Sequence, residues 1–360
     1  MKKSPKLYVF RGRCILRTLL LVFTALFGVL CASLPINLPP SSALTNALLA
    51  RGLLLSSPTD ARISFLMKLA LPAFAAMEKP LASEPSAAVS AAPSEPVSEP
   101  TDATNEATYQ TTSQKGYTSI EGLYINNQTE YAFDIKQLLE KPLSFAVGTQ
   151  PLVLIVHTHT SESYTPSPNF QYTPTDTDRT EDINFNVARV GVNIAQKLQA
   201  ANIPYIHDKA INDYPSYSGS YAKTLTLIES YLEKYPSIKV VLDIHRDSIM
   251  RSDGTKMKAV CTIDNEKTAQ IMLVVGTDGS GLEHPAWRDN LSFALKLQYA
   301  MNEMFPTLAR PVNLRKQRFN GHTAPGAVIV EVGSDANTME EALLGADRFS
   351  EALIEVLSAR

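Results

Sequence analysis

The chain runs to 360 residues with 33 Lys and Arg against 36 Asp and Glu, a formal net charge of −3. Basic residues gather only at the extreme N-terminus, so the electrostatic footprint of a nucleic-acid binder is missing and no nucleic-acid partner is expected. Of the cysteines Cys14, Cys31 and Cys261, a single thiol lies beyond the first apolar stretch. An internal disulfide is excluded there, and stability is left to the core.

Lys2, Lys3, Lys6, Arg11, Arg13 and Arg17 lead into an uncharged run from Leu19 to Leu38. Crossing a bilayer takes ~20 apolar residues, and a basic flank holds the N-terminus in the cytoplasm with the rest outside. Residues 1–38 therefore read as a basic flank and single-pass transmembrane helix at the cell membrane. Ala32-Ser33-Leu34 is small, but no clean A-x-A site follows a short apolar core, which favours an uncleaved anchor over a cleaved signal peptide. Residues 39–79 are Leu-rich and broken by Pro, a juxtamembrane region with an amphipathic patch over 61–71. Residues 80–115 shift to Ser, Ala, Pro, Glu and Thr, which bury too little apolar surface to offset ordering; they read as a disordered tether.

The folded domain is expected over 116–360 and outside the cytoplasm. Residues 116–145 read as a small β hairpin with an appended helix. Strands are predicted at 152–156, 203–207, 239–244, 258–263, 270–276 and 327–332. Apolar residues at three- and four-residue steps mark four helices: Val187, Val190, Ile194 and Leu198; Leu225, Ile228 and Leu232; Phe293, Leu297, Ala300, Met301 and Met304; and Met339, Leu343, Ala346, Phe349 and Leu353. Asn337 with Glu340 suggests the cap of the last helix. The alternation predicts an α/β domain: a single doubly wound, mostly parallel sheet with helices on both faces. Cys261, within an apolar run, reads as a small buried hydrophobe.

Three of these strands end in chemistry. Leu152-Val153-Leu154-Ile155-Val156 runs into His157-Thr158-His159-Thr160-Ser161-Glu162; Val240-Val241-Leu242-Asp243-Ile244 delivers His245; Ala327-Val328-Ile329-Val330 delivers Glu331. In open α/β sheets ligands collect at the carboxyl ends of strands. Catalytic zinc takes three ligands of the His, Asp or Glu type and keeps one position for water. His159 and His245 are the candidate imidazoles and Asp182, ahead of the first long helix, the candidate carboxylate; His157, Glu162 and Glu181 are rivals. His157 and His159 stand two apart and would share a strand face. Glu331 after four apolar residues is expensive unless paired or catalytic, so it is the candidate proton shuttle. Arg246 is a candidate for steadying an oxyanion or a substrate carboxylate.

Other motifs carry less. His245-Arg246-Asp247 stands without the rest of a kinase signature, and an esterase using Ser161 or Ser163 lacks the glycine-flanked elbow. Gly276 to Gly281 has neither a following helix nor a phosphate-loop Lys and reads as a surface loop. Asn320-Gly321-His322-Thr323 reads either as a turn or as part of the cleft. A catalytically inactive cell-wall-binding scaffold with structural histidines is the rival from another class.

Four blocks in register, Val156 to Tyr164, Asn186 to Gly191, Asp243 to Asp247, and Pro325 to Gly333 with Asn337 to Ala342, resemble the stage II sporulation protein P family over roughly 117–360. The resemblance implies a membrane-anchored, zinc-dependent peptidoglycan hydrolase related to N-acetylmuramoyl-L-alanine amidases. Such an enzyme removes stem peptides and can also cut peptide cross-links during engulfment, beside a lytic transglycosylase and membrane protein partners. The wider amidase pattern of strand-end His, acidic residue opening the next helix, second strand-end His and late Glu falls on His159, Asp182, His245 and Glu331. The sequence departs from it in having Asp182, next to Glu181, where the amidases show Glu. It departs again at Asn320-Gly321-His322, where Asn followed by Gln is expected.

Overall fold

The structure, a computed structural model, describes residues 105–110, 115–175 and 177–359. The predicted anchor, the juxtamembrane region and most of the predicted tether lie outside the described residues. Among the described residues no helix is long and apolar enough to cross a membrane.

In chain order the elements are β1 (Glu106–Ala107), β2 (Thr118–Ile120), β3 (Leu123–Asn127), α1 (Ile135–Glu140), β4 (Val153–Val156), α2 (Val187–Ala200), β5 (Tyr205–His207), α3 (Ser220–Lys234) and β6 (Val240–Asp247). Then follow β7 (Lys258–Ile263), β8 (Glu266–Ala269), β9 (Ile271–Gly276), α4 (Trp287–Met304), β10 (Val312–Arg315), a short 3-10 turn (Gly321–Thr323), β11 (Gly326–Ser334) and α5 (Met339–Ser358). Eight strands form one sheet in the order β2-β3-β10-β9-β11-β6-β4-β5, and β1, β7 and β8 form a second, smaller one.

The large sheet is mostly parallel, as expected, in five of its seven pairings, and two features correct the expectation of one doubly wound sheet. The large sheet is mixed: β11 runs parallel to β6, and β6 to β4, but β9 is antiparallel to β11 and β2 to β3. The second correction is the separate small sheet, built on a β7–β8 hairpin. There β1 pairs in parallel with β7, so residues 106–107 of the predicted tether are folded, and the domain begins before residue 116.

Side-chain alternation explains the layers. Val153 and Ile155 of β4, Val240, Leu242 and Ile244 of β6, and Val328, Val330 and Val332 of β11 face the main core with α2, α4 and α5. Leu154, Val156, Val241 and Ala327 face the other way, against Ile228 of α3. Helices thus cover both faces, and the central strands open as apolar runs on both sides, as doubly buried strands do, before reaching Asp243, His245 and Glu331. Each such Val, Leu or Ile contributes ~1.5–3 kcal/mol of burial. The last helix starts one residue later than Asn337 suggests. Thr338 is its cap, forming a reciprocal pair with Glu341, while the Asn337 side chain instead accepts from the backbone of Ser334 at 2.8 Å and Ala259 at 3.1 Å.

Candidate active site

Parity along the strands decides which residues meet. Asp243 and His245 share the α3 face of β6 with Val241, and Glu331 shares it with Ala327 and Ile329 on β11. Glu331 stands directly opposite His245 in the β11–β6 register. His159 reaches the same place from β4 by a different route. The strand ends at Val156, and the chain turns so that the Glu162 amide donates to the His159 carbonyl at 3.0 Å. That turn sets His159 and Glu162 side by side.

The imidazole rings of His159 and His245 lie edge to face with centroids 5.2 Å apart. Glu162 Oε2 is 3.4 Å from His245 Nδ1, and the Glu162 carboxylate also approaches Arg179 at 3.7 Å. His245 Nε2 is 3.0 Å from Asp243 Oδ1. His159 Nε2 meets the Tyr217 hydroxyl at 2.9 Å, with the tyrosine ring stacked on the imidazole, while its Nδ1 is buried without a hydrogen-bond partner. Glu331 Oε2 is likewise buried and unpartnered. His159, Glu162, Tyr217, His245 and Glu331 line a cavity of about 570 Å³, together with Arg179, Asp213, Tyr221, Arg246 and Asp335.

Burial and pairing pull the titratable groups apart. Burial lowers His159 to about 4. It acts the same way on His245, but Asp243 and Glu162 on either side overcome it and raise that imidazole well above its ordinary value. Burial alone would raise Glu162; contact with His245, with Arg246 and His159 adding, holds it below the usual carboxylate range instead. Glu331 is raised to about 8, chiefly by burial, with the His245 cation opposing. One carboxylate kept ionised beside another kept ready to hold a proton is the division of labour that acid–base chemistry requires.

A model of the stage II sporulation protein P family matches residues 63–354. The chain belongs to that family. Stage II sporulation protein P of Bacillus subtilis (strain 168) is 28% identical over 191 residues, 49% of this chain and 45% of that protein. The match thus spans less than half the length of that relative. Among solved structures, the apo N-acetylmuramyl-L-alanine amidase Ami1 of Mycobacterium abscessus is similar at 13% identity and a TM-score of 0.34, covering 59% of this chain and 98% of that one. The amidase AmiC2 of Nostoc punctiforme is similar at 10% identity and a TM-score of 0.33, covering 58% and 97%.

In this family member the structure brings together His159, His245, Glu162 and Glu331, and it does not bring Asp182 or Glu181 to them. Asp182 is exposed, and its Oδ1 accepts from the Asn184 amide at 3.0 Å and side chain at 2.8 Å. Neither Asp182 nor Glu181 lines the cavity. The first long helix starts at Val187 behind an Asn186 cap, which leaves Asp182 in the preceding loop. His157 does not share a face with His159, because the chain leaves the sheet between them. It points to the α2 side, where Nε2 meets His207 Nε2 at 2.8 Å and Nδ1 meets the Ile244 carbonyl at 3.2 Å. Arg246 is spent on loop carbonyls: Nε on Ser163 and Nη2 on Asp178, each at 3.1 Å. Its guanidinium ties loops together, and Arg246 also lines the cavity. Asn320 binds the Tyr221 carbonyl at 3.1 Å and stands outside the cavity lining.

Sequence reasoning missed Tyr217, Arg179 and Asp243. Asp243 was detectable, two residues before His245 on one strand; Tyr217 and Arg179 come from loops and leave no periodic signal. Among the described residues no group of three or more His, Cys, Asp or Glu is arranged to hold a metal ion. The chemistry of the donor atoms is nevertheless of the kind a divalent ion takes. His159 Nδ1 is unpartnered, His245 Nδ1 faces Glu162 while its buried Nε2 lies 3.0 Å from Asp243 Oδ1 without an aligned hydrogen bond, and two imidazoles with one carboxylate suit zinc by residue type.

Proposed function

We propose that this chain is a zinc-dependent peptidoglycan hydrolase that cleaves the amide between N-acetylmuramic acid and the stem peptide. The observation that carries the reading is the convergence of His159, Glu162 and His245 beside an unpartnered, proton-holding Glu331 at the carboxyl ends of β4, β6 and β11. His159, Glu162 and His245 would hold the metal, with Glu162 in place of the predicted Asp182. When bound, zinc supplies a Lewis acid for the scissile carbonyl and acidifies a water.

The chain's own residues do the rest. In its ionised form Glu331 takes a proton from the attacking water and, then protonated, hands it to the departing amine, a two-way task suited to a carboxyl whose affinity for the proton is raised toward neutrality. Tyr217 and Asp243 hold the two imidazoles in orientation. Tyr217, stacked on the His159 ring, and Tyr221, edge-on to it, keep bulk water from that side of His159. Peptide cross-links are amides of the same chemistry, so endopeptidase action belongs to the proposal. So does placement outside the cytoplasm on the Leu19–Leu38 anchor, with a lytic transglycosylase and membrane proteins of engulfment as partners.

A catalytically silent wall-binding scaffold fits the site less well, because a buried carboxylate with a free oxygen is costly in a purely structural role. The deciding experiment digests purified wall sacculi with the full-length chain, with and without chelator, and weighs the products. Release of stem peptides with free N-terminal amines, stopped by chelator and restored by zinc, is expected. No release by the zinc-supplied protein overturns the reading.

A further inference from the structure

We propose that Asp243, itself clamped by Thr158, is a positioning residue that holds the direction of His245 for metal binding by a charge contact; this rests on the metal-hydrolase reading above. Asp243 lies two residues before His245 on β6, so both side chains leave the same sheet face. Its Oδ1 stands 3.0 Å from the buried His245 Nε2, a charge contact not aligned as a hydrogen bond, and this leaves Nδ1, the atom facing Glu162, for an ion.

The carboxylate is held from behind. Oδ1 accepts from the Thr158 amide at 2.7 Å and Oδ2 from the Thr158 hydroxyl at 2.6 Å. Thr158 immediately precedes His159, so one carboxylate ties the turn bearing the first imidazole to the strand bearing the second. Asp243 is only 5% exposed, and its register neighbours are Val156 on β4 and Ile329 on β11. A charge placed between two apolar residues is expensive without a partner that needs it. An imidazole with a carboxylate on one nitrogen presents the other to a metal in a fixed direction and with raised basicity. His159 has a phenol, Tyr217, in the corresponding place, so the two imidazoles are held by different partners.

The test uses the full-length chain, stripped of metal and titrated with zinc against a competing chelator, then loaded with Co²⁺ for its visible spectrum. Asp243→Asn keeps the shape and removes the charge; Thr158→Val removes only the hydroxyl contact. Zinc affinity is expected to fall roughly 10–100-fold in Asp243→Asn and by less in Thr158→Val. The cobalt bands should shift in both, while the metal-free protein keeps its circular dichroism. Wild-type zinc affinity with an unchanged cobalt spectrum in Asp243→Asn overturns the proposal. If that variant does not fold, Thr158→Val decides by the same two readouts. Failure of the underlying reading looks different: the unsubstituted chain itself takes up no stoichiometric zinc.

Discussion

Replacing Glu331 with glutamine separates the energetic cost of this carboxyl from its chemical use. Glu331 is 2% exposed, faces His245 across the β11–β6 ladder and has one oxygen without a partner. Burial raises it from 4.5 to about 8. Because the folded value is the higher one, the folded chain holds this proton more tightly. The stability it contributes is complete below about pH 4.5 and is lost as pH rises through about 8. At ~1.4 kcal/mol for each factor of ten in proton affinity, the loss in the metal-free chain has a ceiling on the order of 5 kcal/mol. Glutamine has the same shape and no charge to desolvate. Urea unfolding of the chelator-treated full-length protein should therefore show wild type and Glu331→Gln alike near pH 4 and the variant more stable near pH 9. With zinc bound the difference should shrink, because a nearby cation offsets the carboxylate. In hydrolysis the same variant is expected to keep its zinc and lose ~10²–10⁴ in turnover. A stability difference independent of pH would refute the desolvation argument, and undiminished turnover would remove Glu331 from the mechanism.

The choice of third ligand is open to a paired test. Glu162→Gln should abolish stoichiometric zinc, while Asp182→Ala, at an exposed loop position, should leave zinc content unchanged and shift stability by less than ~0.5 kcal/mol; the reverse pattern would restore Asp182. Arg246→Lys cannot reproduce a planar fork on the Ser163 and Asp178 carbonyls. It should cost ~2 kcal/mol or more through carbonyls left unpaired, read as a lowered melting temperature in the metal-free chain. Gly191→Ala would set a methyl carbon 2.7 Å from His207 Nε2 and 2.8 Å from the His157 ring. An expected loss of ~1–3 kcal/mol is checked by urea midpoint, and an unchanged midpoint would mean the histidine pair yields without cost.

Much of the framework was legible in residue order because strands buried on both faces leave uninterrupted apolar runs. Val153–Val156, Val240–Ile244 and Ala327–Val330 could be placed, and with them the strand-end residues His245 and Glu331. The long helices followed from the spacing of Val187, Val190, Ile194 and Leu198 and its counterparts. β10 escaped notice because Val312-Asn313-Leu314-Arg315 is short and carries apolar residues on one face only. The antiparallel setting of β9 against β11 escaped it too, since strand direction depends on how distant segments pack.

Residue order by itself determined which side chains are able to bind a cation or move a proton, and that buried strands carry His245 and Glu331 to their sheet edge. Only the tertiary structure decided the partners. A turn closed between His159 and Glu162 outranks proximity to a helix start, so Glu162 and not Asp182 lies between the imidazoles. His157 continues the Val153 and Ile155 side of β4 toward α2, and the chain's departure from the sheet after Val156 carries His159 to the other face. Loops distant in sequence supply Tyr217 and Arg179, because a cavity wall is a meeting of segments in space and local periodicity reports only the faces of single elements.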